Sequence, residues 1–165
     1  MDIKEAVAES VLGLLSPERL PGICTRALVD GLDSPSLAAL AGESISTLDP
    51  VEARQLFVKA IRELRIVTPS PREAARFLIE RACAAALTGD RDPYSALSRI
   101  VKDIYLAHEH EWQDHEYVGD HLGIQQLVGL YYDYDDLHEP FACTREELDQ
   151  ASLQALQAYL NSRAA

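Results

Sequence analysis

No part of the sequence holds 18 consecutive apolar residues, so no membrane-spanning helix is expected. The N-terminus, MDIKEAVAESVLGLL, carries two acids before its first apolar run and lacks a basic leading region. A secretory signal peptide is therefore not expected. Cysteine occurs only three times, as Cys24, Cys83 and Cys143, widely spaced and never as Cys-x-x-Cys. That argues against a disulfide framework or a thiolate zinc site and points to a reducing cytoplasm. No glycine-rich loop is present to cradle a phosphate, and no Gly/Ser-rich linker or internal repeat divides the chain. Alternating β-branched runs, the mark of strands, are also missing. The most telling absence is local: between Asp103 and Thr144 there is no Lys and no Arg.

The 165 residues suit one domain of ordinary size. A chain of that length buries enough surface to need no metal or disulfide for its core. Its hydrophobic fraction of 47% is that of a folded globular protein and excludes global disorder. Five prolines directly follow a capping residue: Ser16-Pro17, Ser34-Pro35, Asp49-Pro50, Ser70-Pro71 and Asp92-Pro93. A capping side chain accepts from an orphan N–H at the helix start, and proline at the next position sacrifices no hydrogen bond there. Asp49…Glu52 and Ser70…Glu73 have capping-box spacing, and Thr144…Glu147 marks a sixth start without proline. Gly31, Gly42 and Gly89 sit where a left-handed residue would end a helix.

This punctuation predicts an all-α fold, a single compact domain over residues 1–165 of about seven to eight short packed helices. They fall at about 2–14, 17–30, 35–41, 50–65, 71–87, 93–108, 116–135 and 145–162, with Pro21 kinking or splitting the second. Val51, Phe57, Val58, Ile61 and Leu64 mark a core stripe on the fourth helix, and Leu153, Leu156 and Leu160 one on the last. The run from Ala82 to Leu87 reads as a central core segment.

The formal charge is −12, which disfavours nucleic acid and anionic membranes as partners. Residues 27–43, ALVDGLDSPSLAALAGE, resemble the helix-turn-helix region of TetR-type repressors. The next segment, SISTLDPVEARQ, lacks the basic and aromatic recognition helix such a regulator needs, so DNA binding is not expected. Residues 103–144 carry ten acids, so −10 of the −12 lies in 42 residues. All five histidines, the only Trp and five of the seven tyrosines lie in the same stretch. Two clusters stand out, HEHEWQDHE (108–116) and YYDYDD (131–136).

Rings beside carboxylates suit a surface that meets a cationic partner, because aromatics give contact area and acids steer encounter. The candidate partner-binding residues are Trp112, Asp114, Glu116, Tyr131, Tyr132, Asp133, Tyr134, Asp135 and Asp136. A plainer reading competes with this one. Tyr117, Ile124, Leu127, Val128 and Tyr131 follow helical spacing and fit a core. The stretch from Arg54 to Arg81, with seven bases against three acids, could pair the acidic charge within the chain or across a homo-oligomer.

A third reading is a divalent transition-metal site, able to support hydrolysis, on His110, Asp114 and His121, which share a helical face at spacings of four and seven. Gly119 and Gly123 interrupt that helix, and a break is expected before Glu116. Neither H-E-x-x-H nor H-x-x-E-H occurs, and DYDD (133–136) lacks the glycine and terminal Glu of a calcium loop. No other cofactor is expected. Cys24 and Cys83 lie in apolar helical surroundings and read as core thiols, Cys143 has only His138 near it in sequence, and no pocket is indicated around Asp133 and Asp136.

The phrases LLSPERLP, GLDSPSLAALAGE, DPVEARQLFVKAIRELRI, DPYSALSRI and EWQDH resemble a family of small, uncharacterised bacterial helical proteins, as short pieces over residues 12–115. The resemblance implies an all-helical fold and a bacterial cytoplasmic origin, and no activity. YYDYDD lies outside it and is similar in chemistry to the acidic, tyrosine-bearing interfaces of bacterial immunity proteins. The expectation is a non-enzymatic acidic protein, immunity- or inhibitor-like, that binds a basic protein.

Overall fold

Five of the six helix starts marked by capping residues open α-helices in the computed structural model, which describes residues 2–44, 49–112, 117–138 and 143–164; the sixth, Ser16-Pro17, opens a 3-10 turn with no side-chain cap bond. Ser34 accepts from the Leu37 N–H at 3.1 Å, Asp49 from Val51 and Glu52 at 2.8 Å, and Asp92 from Ser95 at 3.0 Å. Ser70 and Glu73 form a reciprocal box, and so do Thr144 and Glu147. The fold is all-α, and no strand occurs among the described residues.

The helices are α1 (Ile3–Val11), α2 (Leu20–Val29), α3 (Pro35–Gly42), α4 (Pro50–Glu63), α5 (Pro71–Leu87), α6 (Pro93–Ser98), α7 (Gln125–Asp133) and α8 (Arg145–Ala164). A short 3-10 turn, Pro17–Arg19, precedes α2, so the split expected at Pro21 falls just before Leu20. Gly31 and Gly89 end helices with φ of +90° and +81°. Gly42 does not: it is the last residue of α3, and the chain leaves through extended Glu43. No helix among the described residues is long and apolar enough to cross a membrane.

The chain divides into two compact units, residues 1–74 and 75–165, with the boundary inside α5 and no linker at it. In the first unit, Leu20, Leu37, Leu40 and Phe57 are fully buried, and Ala6, Cys24, Ala53 and Ala60 let α1 to α4 approach closely. The buried stripe of α4 runs through Ala53, Phe57, Ala60 and Ile61. Val51 and Val58, assigned to that stripe from the sequence, are 60% and 43% exposed. Burial follows the angular position of a residue on the helix, and both valines fall on the outer edge.

Two polar ties fasten this unit. The Glu9 carboxylate, 1% exposed, receives the Arg19 guanidinium at 2.8 Å. Glu63, at the end of α4, accepts the backbone N–H and hydroxyl of Ser36 at 3.0 and 2.9 Å, joining it to the first turn of α3.

The second unit is centred on Leu78, Ile79, Leu97, Ile100, Ile104, Leu122, Ile124, Leu127 and Leu156. The helix expected over 93–108 changes pitch twice. α6 gives way to a π-helical stretch at Arg99–Tyr105 and then to a 3-10 stretch at Leu106–Glu111. Ile100, Val101, Ile104 and Tyr105 of the π-helical stretch are all buried. The helix expected over 116–135 is shorter and begins at Gln125. Gly119 and Gly123, with φ of +83° and +75°, hold residues 117–123 in turns ahead of it.

The hydrogen bonds at helix starts have a pH consequence. Ser70 at Glu73, Thr144 at Glu147, Ser95 at Asp92 and Ser36 at Glu63 hold each carboxyl below its ordinary range. The carboxyls ionise more readily folded than unfolded. Their contribution is therefore complete above the unfolded carboxylate values and is lost as pH falls through the lowered folded ones. The urea midpoint should be flat down to about pH 5 and fall below about pH 4. Glu63→Gln should lower the midpoint at neutral pH and reduce its fall in acid, and an acid limb unchanged by that substitution would contradict the assignment.

Candidate functional site

Seven side chains of the second unit, of which Tyr131 and Tyr134 belong to the acidic stretch, form one cluster. Tyr94 of α6 stacks on Tyr131 of α7 at 6.1 Å between ring centroids and tilts against Tyr134 at 5.0 Å. Tyr134 donates its hydroxyl to Asp149 of α8 at 2.6 Å and lies 3.3 Å from the Ser152 hydroxyl. Burial, reinforced by the Asp149 carboxylate, pushes the Tyr134 phenol up to about 12, so it remains a donor at every ordinary pH.

Two cations close this cluster. The Lys102 ammonium lies 5.4 Å from the Tyr131 ring centre. The Arg145 guanidinium lies 4.9 Å from that of Tyr134 and 5.6 Å from that of Tyr94, and its Nε donates to Asp149 at 3.1 Å. These are the first cations on either side of the stretch that has none. In the sequence they stand only as its borders. Their flanking positions were the available signal, but the pairing joins residues more than forty positions apart. The hydrogen bond to the Tyr131 hydroxyl, with the electrostatic influence of the Tyr131 and Tyr94 phenol groups, holds the Lys102 ammonium more firmly protonated than usual.

The residues assigned to a partner surface separate into two groups. Trp112, Tyr131 and Tyr134 are buried, and the indole N–H of Trp112 donates to the Tyr105 carbonyl at 2.9 Å. These three rings belong to the core and are corrected accordingly: helical spacing and a polar tip suit an inward-facing aromatic as well as a docking one. Tyr132, Asp133, Asp135 and Asp136 are exposed and adjacent, with the Tyr132 ring edge-on to Tyr131 at 5.2 Å and itself 47% exposed. Asp114 and Glu116 lie outside the described residues. Tyr117, whose spacing fits a core, is instead 66% exposed, whereas Ile124, Leu127 and Val128 are buried.

Of the metal candidates, His110 is exposed with its Nε2 3.5 Å from Glu111. The His121 ring is 6.1 Å from that of Trp112, and Asp114 is outside the described residues. Among the described residues no group of three or more His, Cys, Asp or Glu side chains is placed to hold a metal ion. Cys24 and Cys83 are fully buried, and burial pushes their thiols up to about 11 and about 12. Both stay protonated and act as core residues. Cys143 is exposed.

Searches against protein families, curated protein sequences and solved structures return no match.

Proposed function

We propose that the protein is a non-enzymatic binding protein of the reducing cytoplasm whose exposed face at 132–136 docks a basic protein, in the manner of an immunity protein or inhibitor. One observation carries this reading. Tyr132 stands exposed among Asp133, Asp135 and Asp136, while Lys102 and Arg145, the flanking cations, lie over the tyrosine rings beneath. The face thus offers one aromatic anchor among three exposed carboxylates, with the Lys102 ammonium near Asp135 at its edge. An exposed ring gives contact area at low entropy cost, and the carboxylates accelerate encounter with a cationic surface and select its orientation. Buried Tyr131 and Tyr134 serve the same end by fixing the backbone that presents these groups.

The test uses the chain as bait and compares captured proteins with those held by Tyr132→Ala/Asp135→Ala. The expected result is a basic partner whose affinity falls at least about tenfold in the double variant, as for loss of an interface anchor worth about 1.4 kcal/mol or more. Retention at higher salt should be weaker still. A partner held equally well by the variant would exclude this face.

A further inference from the structure

The outer face of α4 borders an apolar groove of ≈ 360 Å³, walled by Val7 and Val11 of α1, Phe57 and Ile61 of α4, and Ile66 beyond it, with Arg62 at the rim. Val58 also lines the groove and remains partly in solvent. An adjoining depression shares Val58 and Arg62 and adds Arg54, Gln55 and Lys59. Spacings of three and four bring these residues to one side of the helix. The first unit therefore presents a surface of opposite character to the one at 132–136: apolar in its floor, cationic around its edge, on a chain of net −12. Glu63 is 3.9 Å from Lys59 but is held by Ser36 of α3, Glu18 lies near enough to Arg54 for that guanidinium to favour its ionised form, and Arg54 and Arg62 are exposed.

We propose that this groove is the docking site for residues 132–136 of a second copy of the chain. The Tyr132 ring fills the apolar floor, and Asp133 and Asp136 meet Arg62 and Arg54. The inference rests on the reading of the acidic face as a binding surface and names the basic patch on α4 of a second copy as the partner for it. Charge complementarity selects this occupant. The groove needs an anionic ligand with an apolar anchor, and the exposed face of α7 and the residues after it combines those two features. The two surfaces differ, so each contact joins residues 132–136 of one copy to the α4 groove of another. One ring and a few solvent-exposed ion pairs make it weak and strongly dependent on salt.

The experiment is sedimentation velocity on the full chain across a concentration series, at low and at high salt. The weight-average mass should climb with concentration at low salt and return to the monomer at high salt. Arg54→Glu/Arg62→Glu and Asp133→Lys/Asp136→Lys should each remain monomeric at low salt, with unchanged helical circular dichroism. An equimolar mixture of the two variants should associate again, because each supplies the native face the other lacks.

Three outcomes overturn the proposal: a monomer at every salt concentration, association untouched by either variant, or loss of association in only one of them. The last would indicate a two-fold contact through a single face. If the chain is monomeric while a basic protein is still captured through Tyr132 and Asp135, the second-copy assignment alone falls. If that capture also survives Tyr132→Ala/Asp135→Ala, the acidic-face reading falls with it.

Discussion

Gly119→Ala is expected to destabilise the second unit by about 3 kcal/mol, combining left-handed backbone strain with overpacking of a fixed neighbour. Gly119 sits at φ +83° and ties the turn before α7 from both sides. Its N–H donates to the Tyr105 hydroxyl at 3.0 Å, and its carbonyl accepts the Ile124 N–H at 2.9 Å. A Cβ there would lie 2.9 Å from Ile124 Cγ1 and 3.3 Å from Val128 Cγ2. Ile124 is fully buried and β-branched, so it has no free rotamer into which to retreat.

Gly123 is the internal control. Its φ of +75° imposes comparable backbone strain, but a Cβ there meets nothing within 4 Å. Gly123→Ala should cost only about 1 kcal/mol. Urea denaturation followed by helical circular dichroism measures both. Equal losses would show that backbone strain alone, and not the contact with Ile124, governs the turn. Since Gly119 positions the start of α7, its substitution should also weaken any binding that depends on Tyr132 and its neighbouring carboxylates.

Arg19→Ala is expected to cost the first unit about 2 kcal/mol, between the 0–1 of an exposed ion pair and the 3–5 of breaking a buried one. The intermediate value follows from the asymmetry of the pair: the Glu9 side chain is buried, whereas that of Arg19 is about half exposed. Removing the guanidinium leaves a carboxylate in a place water hardly reaches. The decisive measurement is a double-mutant cycle with Glu9→Gln. In that background Arg19→Ala should cost at least about 1 kcal/mol less, because the uncharged amide loses less when the guanidinium goes. A cycle that closes with no coupling energy would show that Arg19 stabilises the unit by packing its aliphatic stem and not by its charge.

The helix starts were legible because their determinants span three residues. Ser34, Asp49, Asp92, and the Ser70/Glu73 and Thr144/Glu147 pairs each satisfy an orphan N–H within their own first turn. The stops were less legible, since Gly42 ends α3 without a left-handed turn and Arg65, a non-glycine, takes φ +55° just after α4. Whether the chain turns left-handed at a helix end depends on where the next segment must go. Pitch was also hidden, because no glycine or proline marks the change to the π-helical stretch at 99–105.

By itself, the sequence determined the all-α class, the positions of the helix starts and the concentration of negative charge in residues 103–144. Each of these follows from composition or from hydrogen bonds between near neighbours in the chain. Only the tertiary structure decided which side of the acidic stretch faces water. It buried Trp112, Tyr131 and Tyr134, left Tyr132, Asp133, Asp135 and Asp136 outside, and brought Lys102 and Arg145 from opposite ends onto the same tyrosine cluster. A tyrosine two or three positions from an aspartate carries the same local signal in a core as on a docking face. What separates the two is the packing of α6, α7 and α8, and that depends on contacts between residues far apart in sequence.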